Sequence, residues 1–286
     1  MGRFAPTPSG DLHLGSLFTA AASYLDARAH YGRWLLRIED LDRPREVAGS
    51  AAGILQTLEQ FGFEWDGLVR QSERGDLYAD ALRRLEAEQR TYECTCSRAQ
   101  LEDELRYPGT CRNRAIAQGA PAAIRVRIDS RDIEFADRIQ GKYRQEVATA
   151  VGDIILKRRD KIVAYALAVV VDDAAQGITH VVRGADLLDN TPRQIYLQQL
   201  LRLAEPRYAH LPVLIEPDGA KLAKSRRSVR VSKDSPLPQL LSIFSLLGLK
   251  PPAGLASGPI SAAWTWAIGQ WSVDKVPKRL DLRVND

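Results

Sequence analysis

Cysteine is scarce in this chain: three residues in 286, an odd number gathered in one stretch. That excludes the densely cross-linked framework of small secreted domains and makes a reducing cytoplasm the expected compartment. Long apolar runs are missing as well. None reaches the length of a bilayer span, so no membrane association is expected. The N-terminus enters a strand pattern almost at once and carries no basic-then-apolar leader, so no export signal is expected. Internal repeats and low-complexity tracts are lacking. No charge sign dominates: 40 Lys and Arg against 36 Asp and Glu give a net +4. Such a balance permits nucleic-acid binding without arguing for it. What is present is 45% hydrophobic residues, enough for a globular core, in a length that suits one large domain or two modest ones.

Hydrophobic periodicity divides the chain. Up to about Arg90, strands and helices alternate: a short strand at Arg3–Pro6, a helix from Ser16 to His30, a strand at Trp34–Ile38, and helices over Val47–Phe61 and Tyr78–Gln89. That alternation predicts a parallel, doubly wound sheet. From about Tyr92 to Ala148 the pattern changes. All three cysteines fall there, followed by strand patterns at Ala122–Ile128 and Asp132–Asp137, which reads as an insertion. The α/β rhythm returns with Ile154–Lys157, Ile162–Val171 and Gly177–Val182. A helix then runs from Thr191 to about Leu203, with Thr191 as N-cap and Pro192 at its first position. From Pro236 to Asp286 the tail reads as helical. The expected division is 1–91 and 149–235 as two halves of one catalytic body, 92–148 as the insertion, and 236–286 as a helical C-terminal segment.

Chemistry concentrates at the start. Arg3-Phe4-Ala5-Pro6-Thr7-Pro8-Ser9-Gly10-Asp11-Leu12-His13-Leu14-Gly15-Ser16 reads as a strand, a tight turn and a helix start. Free N–H groups and partial positive charge at such a helix mouth suit phosphate. His13 can donate to a phosphate oxygen, Gly15 leaves room for adenine or ribose, and Ser16 offers a hydroxyl but no charge. An H-x-G triplet alone is an ordinary helix start with a surface histidine; the preceding eight residues make chance unattractive. The stretch resembles the HIGH signature of class I aminoacyl-tRNA synthetases, in the wording of the glutamyl branch. Lys221-Leu222-Ala223-Lys224-Ser225 is similar to the KMSKS loop of the same enzymes, with Ala223 in place of the usual Ser. By itself it is a solvated basic run, four Lys and Arg among the nine residues from Lys221 to Val229. In order after the N-terminal motif, its lysines are expected to reach the leaving pyrophosphate.

Three more segments resemble glutamyl-tRNA synthetases: Leu35–Asp42, Ala164–Asp173 and Gly177–Asp186. The likeness implies that Arg3 and Arg183 hold carboxylates of L-glutamate, Tyr165 lines the pocket with Phe4, Ala5, Pro6 and Thr7, and Glu39 meets the ammonium group. His13 and Lys224 would carry catalysis, and His13, Gly15, Ser16, Lys221 and Lys224 would bind ATP with its Mg²⁺. The chemistry agrees: a dicarboxylate with one ammonium wants two cations and one anion, and Arg presents a planar fork to carboxylate. The bland alternative is a pair of surface ion pairs, Arg37–Glu39 and Arg183–Asp186.

Cys94, Cys96 and Cys111 suit one structural Zn²⁺, which wants four ligands. The four histidines, at 13, 30, 180 and 210, are all remote in sequence. The family pattern implies Tyr107 as the fourth ligand; Glu102, Asp103, Glu104 or water are rivals, and three unligated thiols remain the simple alternative. The resemblance implies a Rossmann-like parallel sheet with a zinc-bearing insertion and a short helical tail. Only about sixty residues follow Ser225, too few for an anticodon-binding domain. That shortness, with Ser16 in place of the second signature histidine, is similar to the glutamyl-queuosine tRNA(Asp) synthetases. The likeness implies an enzyme that activates glutamate without tRNA and esterifies it to the cyclopentenediol of queuosine in tRNA(Asp); a monomer is expected. The competing expectations are a shortened enzyme charging a tRNA 3′ end, a silent zinc-bearing RNA-binding module, and a small-molecule ligase sharing the sheet.

Overall fold

The computed structural model describes the chain except residues 98, 102–105, 118, 217–230, 232–234 and 285–286. Its centre is parallel sheet. Strand β1 (Gly2–Phe4) pairs with β2 (Trp34–Ile38), and β2 with β3 (Leu68–Arg70), all parallel. Helix α1 (Leu14–Arg28) makes the first crossover and α2 (Ser50–Gln60) the second. After α3 (Gly75–Ala87) the chain leaves the sheet, and it comes back through α5 (Tyr165–Ala175) into β9 (His180–Gly184). The amides of Thr179 and His180 donate to the Met1 carbonyl, which sets β9 beside β1. Helix α6 (Thr191–Leu201) then leads to β10 (Arg207–Leu211), parallel to β9.

Strands β1 and β2 are buried along their length on both faces, so apolar residues take successive positions rather than alternate ones, with Arg3 and Arg37 as buried charges among them. Trp34, Leu36 and Val182 enter a core with α1, while Leu35 and Val181 enter a second core on the opposite face with α3, α5 and α6. Helix α1 is Ala-rich and buried all round because it is sandwiched between the sheet and the C-terminal helices.

Between these halves lies the insertion. Strands β4 (Thr91–Cys94), β5 (Ala123–Val126) and β8 (Ile155–Lys157) form an antiparallel sheet, and β6 (Asp132–Asp137) and β7 (Gly141–Glu146) a hairpin, followed by one turn of helix, α4 (Val147–Ala150). Ile154–Lys157, expected with the returning α/β rhythm, thus supplies β8, which pairs with the insertion instead. The run from Ile162 to Val171 enters helix α5 at Tyr165.

The tail holds α7 (Pro236–Leu246) and α8 (Ile260–Gln270), but it is not helical throughout. Its end, β12 (Asp281–Arg283), returns parallel to β11 (Val213–Ile215). Phe244 and Trp264 join Tyr24, Trp34 and Phe63 in one aromatic cluster, and the Trp264 indole donates to the Phe61 carbonyl at 2.8 Å. Trp264 therefore packs and offers no stacking platform.

Candidate active site

Open α/β sheets place ligands beyond the carboxyl ends of their strands. A cleft of about 330 Å³ opens there, between the ends of β1, β2 and β9 and the N-terminus of α1. It brings together Arg3, Phe4, Ala5, Pro6, Thr7, His13, Gly15, Ser16, Glu39, Tyr165 and Arg183. Lys221 and Lys224, with the rest of the KMSKS-like segment, lie outside the described residues.

His13 is the N-cap of α1: its Nδ1 accepts from the Ser16 amide at 3.2 Å. In the neutral ring this fixes the proton on Nε2, the nitrogen able to donate to an anion. Gly15 has a local reason beyond ligand space, since a Cβ there would sit 3.1 Å from the His13 ring. The turn before the helix is braced from α2. Ser50 Oγ accepts from the Gly10 amide at 3.0 Å and donates to the Gly10 carbonyl at 2.8 Å.

Arg37 and Glu39 are not a surface pair. Arg37 is fully buried and Glu39 is 10% exposed, 3.6 Å from it. Arg37 Nη1 donates to Asp173 Oδ1 at 2.7 Å, and Arg3 Nε donates to the same oxygen at 3.3 Å. Two guanidiniums on one buried carboxylate hold Asp173 below the ordinary carboxylate range, against the opposite pull of burial. Asp172, next along α5, accepts from Gln71, Arg74 and Tyr78. Glu39 differs: burial raises its carboxyl to about 7, more than Arg37 and Arg3 lower it. An ammonium group arriving beside it would find a carboxyl group poised to lose its proton.

Across the cleft Arg183 is buried, with Nε donating to His210 Nε2 at 3.0 Å and Nη2 to Thr191 Oγ1 at 2.8 Å. Thr191 is therefore not the N-cap of α6. Asn190 takes that place, and Thr191 starts the helix with its hydroxyl turned to Arg183. The sequence reading missed Arg37, Asp173, Asp137 and His210. The available signal was charge in the wrong company: Arg37 stands between Leu36 and Ile38, and His210 between Ala209 and Leu211.

A second cavity, about 580 Å³, shares Thr7, Glu39 and Tyr165 with the first and runs towards the insertion past Arg45, Arg125 and Arg158.

The sulfurs of Cys94, Cys96 and Cys111 lie within 4.8 Å of one another. Sulfurs on one tetrahedral zinc are about 3.8 Å apart, given Zn–S near 2.3 Å; Cys96 and Cys111 are at 3.5 Å. The Tyr107 oxygen sits 3.3 Å from Cys94 Sγ and 3.9 Å from Cys96 Sγ, and accepts from the Cys111 amide at 2.9 Å. Arg125 stacks over the phenol ring at 3.6 Å, while burial and the neighbouring Cys94 thiol push the phenol's pKa up. Three thiols and a phenol converge as a four-donor set for a soft divalent metal. Glu102, Asp103 and Glu104 lie outside the described residues.

Residues 1–254 match the family of tRNA synthetases class I (E and Q), catalytic domain. A glutamyl-Q tRNA(Asp) synthetase of Pseudomonas fluorescens is 54% identical over 284 residues, covering 99% of this chain and 95% of that protein. One from Pseudomonas aeruginosa is 53% identical over 280 residues, covering 97% and 95%. Among solved structures, a glutamate tRNA ligase from Elizabethkingia meningosepticum, in complex with its amino acid, superposes with a TM-score of 0.84 at 25% identity. This chain is covered to 99% but spans only 66% of that one. Among the described residues, no helix is long and apolar enough to cross a membrane.

Proposed function

The chain belongs to the catalytic-domain family of class I tRNA synthetases for E and Q, and from that premise we propose that it activates L-glutamate with ATP, without tRNA, and transfers it to the cyclopentenediol of queuosine in tRNA(Asp). The enzyme is a ligase. One observation carries the reading: a single cleft holds two guanidiniums, Arg3 and Arg183, one carboxylate of raised pKa, Glu39, and a helix mouth capped by His13. Glutamate offers the complementary set of two anions and one cation. The names of the relatives described above support queuosine as the acceptor.

In this reading the α-carboxylate oxygen of glutamate attacks the α-phosphorus of ATP. The bond to the bridging oxygen breaks, pyrophosphate leaves, and glutamyl-AMP forms. Arg3 and Arg183 orient the carboxylates, Glu39 receives the ammonium group, and Tyr165 walls the pocket. His13 donates from Nε2 to phosphate as charge builds. Mg²⁺ bound with ATP neutralises phosphate oxygens. Lys221 and Lys224 take up the leaving pyrophosphate. A hydroxyl of the cyclopentenediol then attacks the glutamyl carbonyl, its proton is lost, and AMP departs. Cys94, Cys96, Cys111 and Tyr107 would hold a zinc ion whose contribution would be structural, ordering the insertion rather than taking part in transfer.

The test uses labelled glutamate, ATP and tRNA(Asp) with and without queuosine, followed by nuclease mapping of the labelled nucleotide. Label on the queuosine nucleotide alone is expected. Label on the 3′-terminal adenosine, or equal label on tRNA lacking queuosine, overturns the acceptor assignment.

A further inference from the structure

Arg183 has an unusual environment for a buried cation. Its hydrogen bonds among the described residues run to two neutral groups, His210 and Thr191, and its Nη1 is buried with no partner. For Arg183 Nε–H to donate to His210, Nε2 must carry a lone pair. The imidazole is then neutral, with its single proton on Nδ1. That Nδ1 lies 2.6 Å from Asp137 Oδ2, and both side chains are fully buried. The other oxygen of Asp137 is already committed. Oδ1 accepts from the amides of Ile139 at 2.9 Å, Gln140 at 2.9 Å and His210 at 3.1 Å. Asp137 can therefore only accept from the ring, and accepting there selects the tautomer that Arg183 requires. Burial and the nearby Arg183 and Arg3 push the ring pKa down against Asp137, which keeps it neutral. Tyr208 and Phe135 close its remaining sides. Register completes the arrangement: β9 and β10 pair Arg183 directly with His210, while Asp137 ends β6 of the insertion hairpin.

We propose that Asp137 and His210 are positioning residues for glutamate, a buried carboxylate–imidazole pair that orients Arg183 by fixing a tautomer and leaves Nη1 for the substrate carboxylate. This rests on the assignment of Arg183 to glutamate. It ties the insertion to the amino-acid site through hydrogen bonds as well as packing. Arg3 is set differently, directly by the charge of Asp173. The two arginines therefore differ in kind: Arg3 already shares the Asp173 carboxylate with Arg37, whereas Arg183 has no carboxylate partner among the described residues.

Asp137→Asn is the discriminating variant, because it keeps the shape and exchanges one acceptor for a donor. The three backbone amides hold the Asn oxygen in place of Oδ1, so its NH₂ faces Nδ1. The ring proton then moves to Nε2 and meets the N–H of Arg183. In glutamate-dependent ATP–pyrophosphate exchange, the KM for glutamate is expected to rise at least ~10-fold, with the KM for ATP within about twofold of wild type. In a His210→Gln background there is no tautomer to set, so adding Asp137→Asn should cost less than about twofold more. Nitrogen-15 NMR of labelled histidine reads the tautomer without substrate: pyridine-type Nε2 in the wild type, pyridine-type Nδ1 in Asp137→Asn. An unchanged tautomer, an unchanged glutamate KM, or full additivity with His210→Gln overturns the proposal. If the tautomer reverses while Arg183→Ala leaves the glutamate KM unchanged, the assignment of Arg183 to glutamate is what fails.

Discussion

Glutamate binding should expel a proton from Glu39 below neutral pH. Burial holds this carboxyl at about 7, against an ordinary value of 4.5. Its anion is the form that can receive the substrate ammonium. At pH 6 roughly nine in ten molecules carry the proton, so apparent affinity should be about tenfold below its plateau, and at pH 8 almost at it. Binding should release about 0.9 protons at pH 6, about 0.5 at pH 7 and about 0.1 at pH 8. Calorimetric titration of L-glutamate in two buffers of different ionisation enthalpy reads both quantities. Stability gives the same sign independently. The folded pKa lies above the unfolded one, so burying Glu39 costs increasingly as pH rises from 4.5 to 7 and constantly above that. The full cost is about 3 kcal/mol as an order of magnitude. Glu39→Gln should therefore melt higher than wild type at pH 8, with the gap closing towards pH 5, while losing the pH dependence of binding. Affinity that is flat from pH 6 to 8, with no proton release, would refute the reasoning.

Arg183→Ala should raise the glutamate KM by about 10²-fold or more, the worth of a charge-assisted pair in a buried site. Thermal stability should change little, because the lost cation has no carboxylate partner among the described residues; pyrophosphate-exchange kinetics and a melt read the two effects apart. Gly15→Ala should push the His13 ring off its cap, since the new Cβ would start 3.1 Å from it. A several-fold loss in kcat with little change in glutamate KM is expected in the same assay. Metal analysis should find about one zinc per chain. Cys111→Ala should lose it and lower the melting temperature, whereas Tyr107→Phe should keep three thiolate ligands and bind zinc more weakly. A zinc-free wild type with the same melting temperature would contradict a structural metal.

Trp34–Ile38 and Asp132–Asp137 could be read residue for residue, because an apolar run ended by Glu39-Asp40 and an alternating strand pattern are both local signals. The N-terminal turn and helix start could be read too, since their chemistry is written in Pro, Gly and His. Burial of charge could not. Arg37 reads as half of a surface pair until the sheet places Asp172 and Asp173 of α5 against it, more than a hundred residues away. His210 and Asp137 are likewise ordinary in sequence and meet only through strand register and the insertion hairpin. Thr191 satisfies every local rule for an N-cap, yet its hydroxyl is drawn inward by Arg183. Strand β12 was hidden for the same reason: three residues, Asp281–Arg283, carry no pattern of their own and become a strand only by pairing with β11.

Exchange of labelled pyrophosphate into ATP, run with L-glutamate and Mg²⁺ and no tRNA, bears most directly on the cleft. Purified protein is expected to exchange label in proportion to glutamate occupancy. Absence of glutamate-dependent exchange at every magnesium concentration would contradict a site built to join these two substrates.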